Sequence, residues 1–65
     1  MEHLVRWFVI KGGLPRPPAE LTVEAASLDG ARAAARTRLE ADGFRVRSLS
    51  FGPTGLIAYV EERGP

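Results

Sequence analysis

Apolar and polar residues alternate along four segments of the chain, and a helical pattern occupies one segment between them. A period of two predicts strands over residues 3–11, 20–26, 44–51 and 56–62, because successive side chains of a strand point to opposite faces. The spacing in residues 29–42 predicts one helix. The element order is therefore β-β-α-β-β, which is typical of a small α+β domain.

The predicted helix is bounded by residues that favour helix ends. Ser27 is the predicted N-cap, with Asp29 as the alternative, and Gly43 is predicted to follow the last turn. The apolar stripe of the helix is composed mainly of alanine, so the helix can approach the sheet closely. This stripe contains Leu28, Ala31, Ala35 and Leu39.

The faces of the strands predict how the sheet is ordered. Strand one is apolar on both faces, which is typical of a central strand, whereas strand two alternates cleanly and carries glutamates that suit an edge. Strand three changes the side of its apolar residues midway, and a β-bulge near Ser48 would restore one consistent inner face. We therefore expect a four-stranded antiparallel sheet of order 2-1-3-4 with the helix packed on one face.

Glycine and proline mark the connections. Two glycines end strand one and three prolines follow, so residues 14–18 are predicted to run as polyproline II. Residues 52–55, which include Pro53, are predicted to form a turn. Residues 63–65 are expected to be a frayed tail.

One small helix cannot cover both sides of such a sheet, so a second face with large apolar groups beside arginines is expected to stay uncovered. Exposed apolar patches rimmed by charge mark interaction surfaces. Within strand one the assignment is open, because Trp7 and Phe8 compete for the core. The predicted interaction face consists of Leu4, Arg6, Phe8, Ile10, Arg45, Arg47, Ile57 and Tyr59.

Three interpretations of this face compete. In the first, its arginines only form cross-strand ion pairs with Glu20, Glu24 and Glu61, and their stems shelter the apolar groups. In the second, which we favour, the face joins two copies of the chain or binds another protein. In the third, bases of RNA or single-stranded DNA stack on Phe8 and Tyr59. The three glutamates count against this last interpretation, because they repel phosphate.

The composition limits how the fold can be stabilised. The 65 residues include no cysteine and one histidine, so disulfides are excluded and a structural zinc site is nearly so. Domains of this size bury only about 60% of their unfolded surface. A stability of roughly 0.05–0.15 kcal/mol per residue gives about 3–10 kcal/mol for the monomer. Oligomerisation is the remaining stabilising device, and a homodimer is therefore expected.

The charge, the cysteine content and the arginine content of the chain predict its cellular compartment and the base composition of its genome. The net charge is only +1 and no apolar run approaches membrane-spanning length, so neither a strong field for nucleic acid nor a membrane association is expected. The lack of cysteine fits the cytoplasm. Lys11 is the single lysine among nine basic residues. A GC-rich bacterial genome explains this arginine excess, and the alternative is selection for bidentate recognition.

The chain offers no recognisable catalytic constellation. The Lys11-Gly12-Gly13 segment lacks the spacing of a phosphate-binding loop, and a strand rather than a helix follows it. His3 is expected to be a solvated terminal residue. We therefore predict no enzyme activity, no cofactor and no metal, and interpret the protein as a small binding or assembly module.

Overall fold

The computed structural model describes residues 1–11 and 17–63 of the chain. Most of the predicted polyproline segment and the last two residues of the predicted tail lie outside the described residues. The elements are β1 (Glu2–Lys11), β2 (Ala19–Glu24), α1 (Leu28–Ala41), β3 (Phe44–Gly52) and β4 (Gly55–Glu62). The predicted element order is confirmed.

The sheet is mixed, and its order is β2-β1-β4-β3. β1 pairs antiparallel with β2, and β3 pairs antiparallel with β4, but β1 and β4 run parallel. The predicted position of β1 inside the sheet and of β2 at its edge is confirmed. The predicted order 2-1-3-4 and the wholly antiparallel pairing are wrong.

The composition of the last two strands explains why β4, and not β3, lies beside β1. β4 is apolar on both faces, with Leu56, Ala58 and Val60 on one side and Ile57 and Tyr59 on the other. A strand of this kind loses apolar burial at an edge. β3 turns arginine and serine side chains to its second face, and such residues tolerate an edge position.

The core lies on one face of the sheet, hereafter the inner face. Its fully or nearly fully buried members are small or medium-sized, and none is aromatic. Trp7 packs against this cluster, with its ring centroid 4.7 Å from that of Phe44, so Trp7 rather than Phe8 faces the core. The helix contributes Ala31, Ala35 and Leu39, and the strands contribute Val5, Val23, Leu49, Leu56, Ala58 and Val60.

The ends of α1 follow the predicted capping residues. The Ser27 hydroxyl accepts a hydrogen bond from the backbone N–H of Gly30 at 3.0 Å, and Gly43 adopts a φ of +95° just beyond the helix. Leu28 was expected on the buried stripe but is 56% exposed. Side chains of a helix tilt toward its N-terminus, so the first helical residue projects past the turn that packs on the sheet.

The predicted β-bulge in strand three is confirmed. Val46 pairs with Val60, whereas Ser48 pairs with Tyr59, so Arg47 and Ser48 together oppose a single residue of β4. The extra residue shifts the alternation by one position. Leu49 consequently lies in the core, opposite Ala58.

Candidate interaction face

The second face of the sheet, hereafter the outer face, carries the side chains that alternate with the core residues along the strands. The buried residues of the helix belong to the core on the inner face, and the other described elements are the strands themselves. All eight predicted interaction residues lie on strands. The outer face comprises Glu2, Leu4, Arg6, Phe8 and Ile10 of β1, Glu20, Thr22 and Glu24 of β2, Ile57, Tyr59 and Glu61 of β4, and Arg45, Arg47, Ser48 and Ser50 of β3.

Two aromatic rings form the centre of the outer face. Phe8 and Tyr59 are direct neighbours across the β1–β4 pair, and their rings stack with centroids 5.3 Å apart. Tyr59 remains 41% exposed. The aromatic pair therefore presents a ring surface to whatever approaches the sheet.

Aliphatic groups extend this surface along the two middle strands. Ile10 is 56% exposed, and Leu4 and Ile57 are half-buried. Ile57 lies beside Arg6 and leans over Gly52, since a Cβ on that glycine would come within 2.5 Å of Ile57 Cδ1. The apolar residues are therefore continuous but only partly sheltered by their neighbours.

Among residues 1–11 and 17–63, two arginine–glutamate ion pairs join neighbouring strands on the outer face. Arg6 donates through Nε and Nη2 to one carboxylate oxygen of Glu20, at 3.1 and 2.8 Å. Arg47 Nη1 lies 3.3 Å from Oε1 of Glu61. Both pairs agree with the interpretation in which the arginines only form cross-strand ion pairs. That interpretation explains these charges. It explains the apolar groups less well, because they are only partly sheltered.

The remaining predicted charges are arranged differently. Glu24 pairs with the N-terminal amine rather than with an arginine. Arg45 is the register partner of Glu61, but no ion pair of Arg45 is found among the described residues. It borders a shallow polar depression shared with Glu40, Glu61, Glu62 and Arg63. Because both signs of charge line this depression, it does not concentrate a field of one sign.

The charges also differ between the two edges of the outer face. The β2 edge carries Glu20 and Glu24, whereas the β3 edge carries Arg45 and Arg47. Glu61 lies between β1 and β3 and has a side chain only 15% exposed. The face therefore has glutamates on one edge strand, arginines on the other, and apolar residues together with Arg6 and Glu61 on the two middle strands.

Some features of the site were missed from the sequence. Ser48 and Ser50 stand opposite Tyr59 and Ile57 and so belong to the outer face, which follows only once the bulge is placed. His3 was expected to be solvated, but it is half-buried and its Nε2 lies 3.3 Å from the carbonyl oxygen of Ala25. The register of β1 with β2, which pairs His3 with Val23, turns it to the inner face.

Residues 1–11 and 17–63 contain no group of three or more His, Cys, Asp or Glu side chains placed to hold a metal ion. Over the same residues no helix combines the length and the apolar character needed to cross a membrane. No protein-family model, curated protein or solved structure matches the chain.

Proposed function

We propose that this protein is a cytoplasmic assembly module that acts by binding rather than by catalysis, and that it self-associates through the outer face. The observation that carries the proposal is the stacked pair of the half-buried Phe8 and the 41% exposed Tyr59, on the face of the sheet opposite the core cluster. The proposal takes α1 to cover the inner face alone. Aromatic residues at the centre of a patch are typical anchors of protein interfaces.

The size of the outer face suits a second copy of the chain. The two longer dimensions of the molecule are 35 and 22 Å, and the third is 15 Å. A rectangle of the longer dimensions matches the ~800 Å² that each partner of a standard interface buries.

The small core supplies a reason for self-association. Among the residues that the structure describes, nine are buried in the core: three alanines, three valines and three leucines. Burial stabilises a fold by about 25 cal/mol per Å² of apolar surface, so a core of this composition contributes little per residue. A dimer that covers the outer face adds apolar burial that the monomer lacks.

The ion pairs of the outer face make its desolvation less costly. Arg6 and Arg47 already contact carboxylates within the same chain. Burying a charge is costly chiefly when the charge loses its partner. An interface that buries these ion pairs therefore keeps each charge next to its partner.

The test is the solution mass over a dilution series, measured by sedimentation equilibrium at low and high salt. We expect a dimer that persists in high salt, because apolar contacts are not screened. Tyr59→Arg should dissociate it. Phe51→Arg is the matched control, since Phe51 is similarly exposed, at 49%, and pairs with core residue Leu56 on the opposite side of the sheet.

Two results would contradict the proposal. A chain that stays monomeric at high micromolar concentration does not self-associate. A dimer that dissociates with Phe51→Arg but survives Tyr59→Arg uses the inner side of the sheet instead.

A second candidate is weak binding of RNA or single-stranded DNA, and the partly exposed ring pair on the same face as Arg45 favours it. Bases stack on such rings, and arginines contact phosphates. The ion pairs of Arg6 and Arg47 count against it, because these arginines are already neutralised. This candidate predicts a salt-dependent affinity for a labelled oligonucleotide that falls when Arg45 and Arg47 are both changed to alanine. Unchanged affinity in that double variant would dismiss it.

A further inference from the structure

We propose that the β2 edge of the sheet binds an extended basic segment of another protein as an added strand. β2 lies at one end of the strand order, and no described strand pairs with its second side. Extended peptides bind to such edges through main-chain hydrogen bonds, and their alternate side chains provide specificity. The edge is distinct from the stacked rings, so this inference goes beyond self-association.

The register of β2 decides which of its main-chain groups face the edge. The N–H of Ala25 donates to the carbonyl oxygen of Met1, so these two residues form a hydrogen-bonded pair next to Glu2 and Glu24. Along an antiparallel ladder, such pairs alternate with pairs that are not hydrogen-bonded to each other. The pairing of β2 with β1 continues without a shift. The main-chain N–H and C=O groups of three residues therefore point away from β1: Glu20, Thr22 and Glu24.

The side chains of the same residues favour a basic partner. The Glu20 and Glu24 side chains are 48% and 70% exposed. Both hydrogen bonds from Arg6 go to one oxygen of Glu20, and the N-terminal amine contacts one oxygen of Glu24. The second oxygen of each carboxylate accepts no hydrogen bond from the described residues. Basic side chains four residues apart on an antiparallel added strand would stand directly opposite these glutamates, where unlike charges stabilise the pairing.

The inner face of β2 determines the residues between those basic positions. Val23 is only 8% exposed, and Leu21 is half-buried and packs against the core cluster. Side chains of neighbouring strands at the same level share a face of the sheet. Apolar residues that alternate with the basic ones would therefore extend the inner face. The segment that fits the edge alternates basic and apolar residues.

A second copy of β2 fits its own edge poorly. Two-fold pairing of β2 with itself uses all three available positions only when Thr22 stands opposite Thr22 of the partner subunit. Glu20 then stands opposite Glu24 of the partner subunit, and like charges in that arrangement are destabilising. The glutamates thus disfavour self-pairing at this edge while they favour a basic strand.

The opposite edge of the sheet fits the same segment less well. In β3 the bulge places Arg47 and Ser48 opposite a single residue of β4, which interrupts the regular alternation of its main-chain groups. Arg45 and Arg47 also repel a basic strand. Regular register and negative charge occur together only at the β2 edge.

The test is the fluorescence anisotropy of a labelled peptide in which arginine alternates with valine over six residues, the length of β2. We expect the natural chain to bind this peptide and not to bind a version that is N-methylated at its arginines, which cannot donate to the edge. Thr22→Pro removes one edge-facing N–H and spares the hydrogen bonds to β1, because proline is accepted where its nitrogen faces solvent. It should weaken binding about tenfold.

Paired glutamine substitutions test the charges. Glu20→Gln combined with Glu24→Gln should weaken binding about fivefold and reduce its dependence on salt. The matched control is Glu40→Gln combined with Glu62→Gln, which changes the net charge equally at two exposed carboxylates outside β2. The control pair should change the affinity by less than about twofold.

Three results would overturn the inference. Binding that survives both N-methylation and Thr22→Pro would show attraction of charge without an added strand. Equal weakening by the two glutamine pairs would exclude the β2 edge as the site. No binding by the natural chain at high micromolar peptide would exclude the interaction altogether.

The experiment stays decisive if a substitution disturbs the fold. Circular dichroism shows whether Thr22→Pro is folded, and the N-methylated peptide tests the same hydrogen bonds on the unaltered chain. Sedimentation of the same variants reports self-association separately. Loss of peptide binding with an unchanged solution mass therefore bears on the β2 edge alone and leaves the proposed function standing.

Discussion

The rings of Phe8 and Tyr59 stack across the parallel β1–β4 pair, with their planes only 23° apart. The two residues belong to the first and the last strand in chain order. The contact therefore lies on the one strand pairing in the sheet that is not made by a hairpin. It connects the outer face to the pairing that decides the topology.

The stack should contribute a coupling energy of its own. We expect Phe8→Leu and Tyr59→Leu to be non-additive by about 0.5–1.5 kcal/mol, the usual contribution of a ring pair beyond its buried area. A double-mutant cycle on urea unfolding at one protein concentration measures this value. Additive losses would show that the rings are neighbours without mutual stabilisation.

The alanine stripe of α1 should tolerate enlargement only on its exposed side. Ala35 is fully buried, whereas Ala33 is exposed. We expect Ala35→Leu to lower the free energy of unfolding by about 1–3 kcal/mol, because the added atoms overpack a close helix–sheet contact. Ala33→Leu is the matched control and should change stability by no more than about 0.5 kcal/mol. Equal effects of both substitutions on urea midpoints would contradict the close packing.

The turn between β3 and β4 depends on glycine at position 55. Its φ is +148°, and a Cβ there would collide with the carbonyl oxygen of Leu4. We expect Gly55→Ala to lower the free energy of unfolding by more than the ~1–3 kcal/mol that backbone strain alone costs. The reason is that the new Cβ would collide with the main chain of β1 rather than with a movable side chain. Thermal unfolding monitored by circular dichroism checks this.

Gly43 provides the comparison for that substitution. Its φ is also positive, at +95°, but a Cβ there would meet nothing within 4 Å. We expect Gly43→Ala to cost only the conformational penalty of about 1–2 kcal/mol. If Gly43→Ala lowered the free energy of unfolding as much as Gly55→Ala, the clash with Leu4 would not be the cause of the loss at position 55.

The two cross-strand ion pairs should differ in strength. Both partners of the Arg6–Glu20 pair are about half exposed, whereas the Glu61 side chain that contacts Arg47 is 15% exposed. We expect Arg6→Gln to cost no more than about 1 kcal/mol and to lose its effect in high salt. Arg47→Gln should cost more and depend less on salt, since it leaves a sheltered carboxylate without that partner. Urea titrations at two salt concentrations distinguish these outcomes.

Local patterns were sufficient to predict the elements, the cap at Ser27 and the bulge near Ser48. Each is decided by neighbours within a few residues, such as the Ser27 hydroxyl and the Gly30 amide. For the faces of β1, local pattern was not sufficient. Trp7 points to the core and Phe8 away from it, although the pattern alone left that choice open.

Strand order could not be obtained from hairpins and periodicity alone. Both the predicted and the observed order keep the two hairpins intact, so the difference lies in whether β3 or β4 joins β1. The position of β4 inside the sheet is indicated by Ile57 and Tyr59, which make its outer side apolar as well, because a strand that is apolar on both faces belongs inside a sheet. The outer-face residues were nevertheless placed together, since they depend on alternation rather than on order.

The parallel pairing of β1 with β4 also constrains how the chain reaches its fold. In chain order, the helix separates β2 at one edge of the sheet from β3 at the other edge, and β4 then returns to lie between β1 and β3. The pairing joins residues about fifty positions apart in sequence, such as Val5 and Leu56. Folding rates fall as contacting residues become more distant along the chain. We therefore expect the middle of the sheet to be completed last, so that until then the apolar edge of β1 is open to pairing between two unfinished chains.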